Sequence, residues 1–320
     1  MSIKQDLLRY IDAGYPIIYI NSYEESKTDR IIAEVIGGRD GIEWNGADGF
    51  VKFKNKQVQF ENHTLLQTLS MLDNDGGLER KILIIKDVHP YLEDRNIIAQ
   101  LKNICRKINE GLDTTIIMVS PIVKIPRELE KFITILELEF LTQDEIRQQI
   151  RNFADEQGYH ISDALLEEMS MAFKGLTEFE IDSLLRSALA TDGEFNRRNL
   201  KLILEQKQQM IMKSGILEMI PLKEKLEDIG GLENLKEWLY RKARVYKSIN
   251  KAVEFGVDMP KGVLIAGVPG CGKSLTAKVT AQLFEVPLLR LDMGKIMGKY
   301  VGESEENMRR AIALAEANSP

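Results

Sequence analysis

Cysteine is nearly missing from this chain. Two occur in 320 residues, Cys105 and Cys271, which excludes a disulfide framework. Histidine is almost as scarce: His63, His89 and His160 lack the short spacings that gather metal ligands, so no built-in metal site is expected. No apolar run approaches the roughly 18 residues of a membrane-crossing helix. There is no internal repeat and no low-complexity tract. The N-terminus lacks the basic-then-apolar layout of a secretory signal; residues 1–14 read instead as an amphipathic helix with Leu7, Leu8 and Ile11 on one side. Positive charge is also in deficit. Lys and Arg number 43 against 49 Asp and Glu, a net charge of −6. That balance argues against a dedicated nucleic-acid binder, leaving room only for a local basic face.

What is present suits about two soluble domains, both by length and by an ordinary 44% hydrophobic and 29% charged composition. Strands are expected at residues 16–20 (PIIYI), 82–85 (ILII), 115–119 (TIIMV) and 134–138, short runs as apolar as strands buried on both faces. Helical patterns at 28–35, 63–72 and 94–109 lie between them. In the last, Ile97, Leu101, Ile104, Cys105 and Ile108 share helical spacing, so Cys105 reads as core. Such alternation predicts a mostly parallel sheet covered by helices. From Leu141 onward only helices are expected: 146–157 behind a capping box of Thr142 and Glu145, 163–173 ending near Gly175, one opened by Thr177 and Glu180 and running to about 190, and one after Asn196 reaching towards 212. The chain thus divides into an α/β module at 1–140, a helical lid at 141–212, a linker at 213–228 and a second α/β module from 229.

The second module carries Gly267-x-x-x-x-Gly272-Lys273-Ser274 within KGVLIAGVPGCGKSLTAKVTAQLF. Chance supplies this pattern about once in a hundred chains of this length at average composition. Residues 263–266 read as a strand leading in, and 274–284 as a helix leading out, the setting a phosphate-binding loop requires. Gly267, Gly270 and Gly272 permit torsions and close approaches that side chains block. Gly267, Val268, Pro269, Gly270, Cys271, Gly272, Lys273, Ser274 and Leu275 frame a site at the positive end of a helix, with main-chain N–H groups from all but Pro269 available to phosphate. Lys273 is the residue to reach β- and γ-phosphates, and the Ser274 hydroxyl the ligand for Mg2+. Cys271 is expected to point away from the phosphate-binding backbone. A glycine-rich turn ahead of a helix is the alternative, outweighed by strand, loop, lysine and helix occurring together.

The flanks resemble one family. Asp228-Ile229-Gly230-Gly231-Leu232 is similar to the AAA+ segment beside the adenine, which makes Ile229 and Gly230 nucleotide contacts by resemblance. Gly298-Lys299-Tyr300-Val301-Gly302-Glu303-Ser304-Glu305, followed by Asn307-Met308-Arg309-Arg310-Ala311, is similar to the pore loop and following helix of AAA ATPases. The fold so implied is α/β of the P-loop NTPase (AAA+) type: a degenerate α/β module with helical lid, then an incomplete P-loop module. More narrowly, a degenerate first module together with IGGLENLKEWLYRKA resembles AAA proteins of cyanobacteria and algal plastid genomes. The resemblance implies binding of ATP or ADP with Mg2+, a homo-oligomeric (hexameric) ring and a protein client; the acidic balance argues against nucleic acid, which the motifs do not exclude, and no membrane role is expected without an apolar span. It implies a cytoplasmic protein, or a stromal one if plastid-encoded. Tyr300 would then grip an extended polypeptide; a tyrosine packed on its own module is the other reading. Arg309 and Arg310 read either as interface residues or as a solvated helix face.

By the same resemblance, the Walker B strand, the sensors, the arginine finger and a second lid would follow residue 320. The strands that separate 263–266 from 287–291 in such a sheet would follow it too. The chain is therefore expected to be the N-terminal portion of a longer protein, and not to hydrolyse ATP as it stands. The first module offers no substitute. After strand 16–20 comes Asn21-Ser22-Tyr23-Glu24-Glu25, acidic and without lysine, which repels phosphate. Val88 stands after Asp87 where a catalytic Glu would follow, Ser120 sits at a sensor-like place, and a scaffold role is the reading that remains.

Overall fold

Isoleucine-rich runs and the helices between them build the first of two compact units, Met1–Phe140 with Thr177–Phe179; the second comprises Leu141–Leu176 and Glu180–Pro320. The structure, a computed structural model, describes residues 3–22, 24–60, 63–74, 76–213, 217–247, 256, 262–296 and 303–317. In the first unit the strands are β1 (Ile17–Asn21), β2 (Asp40–Asn45), β3 (Gly49–Lys52), β4 (Val58–Phe60), β5 (Lys81–Lys86), β6 (Thr114–Ser120) and β7 (Ile133–Glu137). They form one sheet in the order β4-β3-β2-β5-β6-β1-β7. The pairs β2–β5, β5–β6, β6–β1 and β1–β7 are parallel, whereas β3 and β4 extend one edge as an antiparallel meander. The four apolar runs are thus strands, as their composition predicts.

Helices cover both faces. α1 (Ile3–Asp12) and α2 (Glu25–Ile36) pack on Ile18, Ile20, Ile82, Ile84, Ile117 and Val119, and α3 (Leu65–Asn74) and α4 (Arg95–Asn109) on Ile17, Tyr19, Leu83, Ile85, Ile116 and Met118. Alternate strand residues face opposite layers, as period two requires. Each fully buried isoleucine or leucine stabilises by about 1.5–3 kcal/mol relative to exposure, so the layers hold the sheet from both sides. Cys105 is fully buried in α4, where desolvation pushes its thiol up to about 12. One residue of the amphipathic N-terminal helix departs from expectation. Leu7 and Ile11 are buried but Leu8 is 44% exposed, because it lies about 100° around the helix from Leu7.

Strands β2 to β4 have no counterpart in the sequence reading. The run DGIEWN holds a glutamate, yet Glu43 is only 2% exposed because Lys56 and Lys86 neutralise it. A turn follows in which Asn45 Oδ1 accepts from the N–H of Ala47 and Asp48 at 3.0 and 2.8 Å. That Asn-Gly start, with alternation on both sides, was the available hairpin signal.

In the second unit, α5 (Gln143–Gln157), α6 (Asp163–Phe173), α7 (Glu178–Asp192) and α8 (Arg197–Lys213) enclose a core of Ile146, Ile150, Phe153, Leu166, Met169, Phe173, Leu184, Leu185 and Ile203. The Thr142–Glu145 capping box is present in full, and Gly175 has the left-handed φ of +79° that ends α6's turn. Residues 217–220, read from sequence as linker, form β8 (Leu217–Ile220), antiparallel to β9 (Leu288–Leu291). The remaining described helices are α9 (Glu233–Lys247), α10 (Lys273–Phe284), the short α11 (Met293–Ile296) and α12 (Glu303–Ala317). Residues 263–266, expected as a strand, form no strand among the described residues, and Leu264 is 96% exposed. An apolar run becomes a strand only beside a neighbour that takes its N–H and C=O groups, and none of the described residues does so. Among the described residues no helix is long and apolar enough to cross a membrane.

Lys207 of α8 is 6% exposed, donates to the Ala172 carbonyl at 3.0 Å, and is pushed down to about 8 by burial. Since the unfolded chain holds that proton up to the ordinary lysine range, wild type should gain stability over Lys207→Met between about pH 8 and 10.5, by at most about 3 kcal/mol. Urea unfolding of both proteins across that window checks the sign; a wild-type stability that fails to rise relative to the variant with increasing pH would contradict it.

Candidate functional site

The glycine-rich loop runs from Gly267 into α10, whose first helical residue is Lys273. Gly270 and Gly272 have φ of +83° and +88°, a region that residues with a Cβ rarely enter. Gly267 is required for another reason: a Cβ there would stand 2.6 Å from Cys271 Sγ. The cysteine sulfur is therefore turned onto the loop, contrary to the expectation that it points away. The side chain folds back because the Cys271 N–H reaches the Val268 carbonyl at 3.4 Å, which tightens the turn around it.

Lys273 completes the loop. Its ammonium donates to the carbonyls of Gly267 and Val268 at 2.9 and 2.8 Å and lies 3.9 Å from Cys271 Sγ. Below it, the N–H and hydroxyl of Thr276 both donate to the Gly272 carbonyl, at 2.9 and 3.1 Å, and the side chain of Thr276 is 2% exposed. The first N–H groups of α10, those of Lys273, Ser274 and Leu275, have no acceptor within the helix and point out of its positive end. Val268, Pro269, Gly270, Cys271 and Ser274 are exposed. The arrangement offers an anion several N–H donors and one mobile cation at a single point, with a hydroxyl beside it for a divalent cation. The donor set suits a polyphosphate with Mg2+.

Ile229 and Gly230 precede α9. Ile229 is 5% exposed, and Leu239 and Ala243 of α9 are buried where that helix packs on α10. Tyr300 and its neighbours 297–302 lie outside the described residues. Arg309 is on the exposed side of α12.

The equivalent end of the first unit's sheet is built differently. Ser22, Glu25, Lys86, Asp87, Val119 and Pro121 line a cavity of about 180 Å3 at the carboxyl ends of β1, β5 and β6. Lys86, 6% exposed, is bonded to Asp29 at 2.9 Å and Glu25 at 3.2 Å, with Glu43 at 3.9 Å. Burial opposes its charge, yet the hydrogen bond to Asp29 and the fields of Glu43, Asp29 and Glu25 together raise its pKa. Lys56 ties Asp29 to Glu43 from the other side. Ser120 is 1% exposed and shares a 2.6 Å hydrogen bond with His89 Nδ1, and Val88 is fully buried. The cage is a feature the sequence reading missed, since its carboxylates come from α2 and β2 and its lysine from β5. Asp94 caps the helix that follows, accepting from the Asn96 N–H at 2.8 Å.

Comparison with known proteins gives a consistent result along the chain. Residues 3–138 match the SpoVK-like AAA ATPase N-terminal domain, residues 144–214 the second domain of the same group, and residues 263–320 the ATPase family associated with various cellular activities (AAA). The AAA domain-containing protein ycf46 of Trieres chinensis is 34% identical over the whole of this chain and 64% of its own length, and that of Guillardia theta is 34% identical over the whole chain and 63% of its own. The chain thus spans just under two thirds of these relatives. The ATPase family gene 2 protein of Saccharomyces cerevisiae is 32% identical over 42% of this chain and 18% of its own length. A solved RuvB structure from Thermotoga maritima covers 80% of this chain and 82% of that chain at 14% identity, with a TM-score of 0.44, and the fold assignment does not rest on it.

Removing the Lys86 ammonium should leave Asp29 and Glu43 with only Lys56. Lys86→Met is expected to destabilise the first unit by about 3 kcal/mol, the low end for one half of a buried ion cluster. Denaturant unfolding measures this; an unchanged midpoint would show that the cage contributes no stability.

Proposed function

The chain belongs to the AAA ATPase family, and on that premise we propose that it binds ATP at 267–274 and that the whole protein hydrolyses it to remodel a protein client. The observation that carries this reading is the Lys273 ammonium in the mouth of the glycine loop, bonded to two carbonyls that a phosphate would replace. Lys273 is a mobile donor here: it leaves neutral acceptors for charged oxygens, and charge-assisted hydrogen bonds are about twice as strong. The N–H groups of 270–275 fix the phosphates at the end of α10, where the helix dipole favours negative charge. The Ser274 hydroxyl is the protein ligand for Mg2+, which when bound offsets charge on the phosphate oxygens. Catalysis of phosphoryl transfer is mainly positioning and charge stabilisation, and these residues supply the binding half of it.

The first unit serves in this reading as a scaffold. Its sheet end presents Glu25 where the second unit presents Lys273, and its one buried lysine is already neutralised. A hexameric ring with Tyr300 at its channel, a polypeptide client, and a cytoplasmic or stromal location are parts of the same proposal, drawn from the family. The second reading is a nucleotide-sensing scaffold without turnover. It is favoured by β8, which joins the helical bundle directly to the ATPase module.

MgATP should bind the chain at one site, and Lys273→Ala should weaken it by at least about a hundredfold, the loss of a charged phosphate contact. Calorimetric titration checks this, and binding that is indifferent to Lys273 would refute the site. Turnover is to be measured on the chain continued through the reading frame that follows it. Lysine-dependent hydrolysis supports the motor; binding without turnover supports the sensor.

A further inference from the structure

The segment between the helical bundle and the ATPase module is fastened to the phosphate-loop helix. Strand β8 pairs with β9 through Ile220 and Leu288, and Glu218 is ion-paired with Arg290 across the ladder. Four residues beyond β8, Glu224 takes the Lys278 ammonium on Oε1 at 2.5 Å, while Oε2 accepts the Lys223 N–H at 3.0 Å. Both side chains are partly shielded, 26% and 33% exposed. A single 3-10 turn, Leu226–Asp228, follows and is closed by Asp228 Oδ2 accepting the Lys225 N–H at 2.7 Å. The chain then reaches Ile229, Gly230 and Gly231, the last at φ +64°, and enters α9.

Lys278 belongs to α10, five residues beyond Lys273, so it stands about 7.5 Å along the axis from the phosphate-binding end. α9 and α10 pack together, with the rings of Tyr246 and Phe284 at their carboxyl ends 5.2 Å apart. Residues 229–232 thus lead directly into α9, the helix that packs on the one carrying the loop. Two glycines leave that segment free torsions, and the Glu224–Lys278 contact is the polar tie that ties it to the helix carrying the loop.

We propose that Glu224 and Lys278 form a strut that sets residues 226–230 at a fixed distance from the phosphate loop, making both positioning residues for the base end of the nucleotide. The inference rests on reading 267–274 as the ATP site. A bound adenine needs the segment at one place, whereas the phosphates need only the loop. Releasing the strut therefore lets the segment wander and costs affinity only for ligands that reach it. The contact persists across ordinary pH because the hydrogen bond from Lys278 holds the Glu224 carboxyl down at about 2.

The test compares two ligands on the same protein, MgATP and magnesium tripolyphosphate, by calorimetric titration. Glu224→Gln and Lys278→Gln should each weaken MgATP roughly three- to tenfold and leave tripolyphosphate unchanged, while Lys278→Arg keeps the wild-type ATP affinity. Tripolyphosphate binding also reports that each variant is folded at the loop. Unchanged ATP affinity, or equal weakening of both ligands, would overturn the strut. Wild-type protein that binds neither ligand would instead remove the ATP site itself, and the strut with it.

Discussion

Every main-chain N–H and C=O taken out of water needs a partner, and the two α/β modules meet that demand in opposite ways. In the first, five parallel strands and an antiparallel meander pair their groups within one sheet, and the isoleucines that make the strands apolar can be covered by helices on both faces. Its strand ends are closed by side chains: Ser22 accepts the Glu24 N–H at 2.9 Å, and Lys86 sits in its carboxylate cage. In the second, the demand is left open where chemistry is proposed. The N–H groups at the start of α10 have no helical acceptor, and the carbonyls of Gly267 and Val268 accept from the Lys273 ammonium, Val268 also from the Cys271 N–H.

The two lysines show how context decides the work of one side chain. Lys86 stands at the carboxyl end of β5 and Lys273 at the start of α10, behind the glycine loop. Lys86 is surrounded by Glu25, Asp29 and Glu43, so its charge is cancelled inside the protein. Lys273 is met by neutral carbonyls, so its charge remains free for an anion. An arrangement of the first kind stabilises a fold; one of the second kind stores binding capacity. Within the second unit, the pairing of β8 with β9 draws the segment after the helical bundle beside the glycine-loop module.

Much of this was legible in residue pattern. The strand runs, the helix α4 with its five buried positions, the Thr142 capping box and the glycines of the loop are local features, governed by periodicity and by torsions that few residues adopt. The missed features are those in which a residue's neighbour is distant. Glu43 reads as a surface residue until Lys56 and Lys86 are brought to it from β5 and the meander. Leu217 to Ile220 read as linker until β9 offers an edge. Val263 to Ala266 read as a strand, yet strand formation is a property of two segments and the second is absent from the described residues.

By itself, then, the sequence determined the four buried strands of the first sheet, the helix α4 with the burial of Cys105, the Thr142 cap and the glycine pattern of the loop, because these depend on local spacing. Only the tertiary structure decided which strand lies beside which, that Cys271 turns onto Gly267, that Lys86 is neutralised, and that Glu224 reaches Lys278 across 54 positions. Such contacts pair groups whose separation along the chain carries no information about their distance in space. Their energies follow from burial and charge, quantities that exist only once the chain has closed on itself.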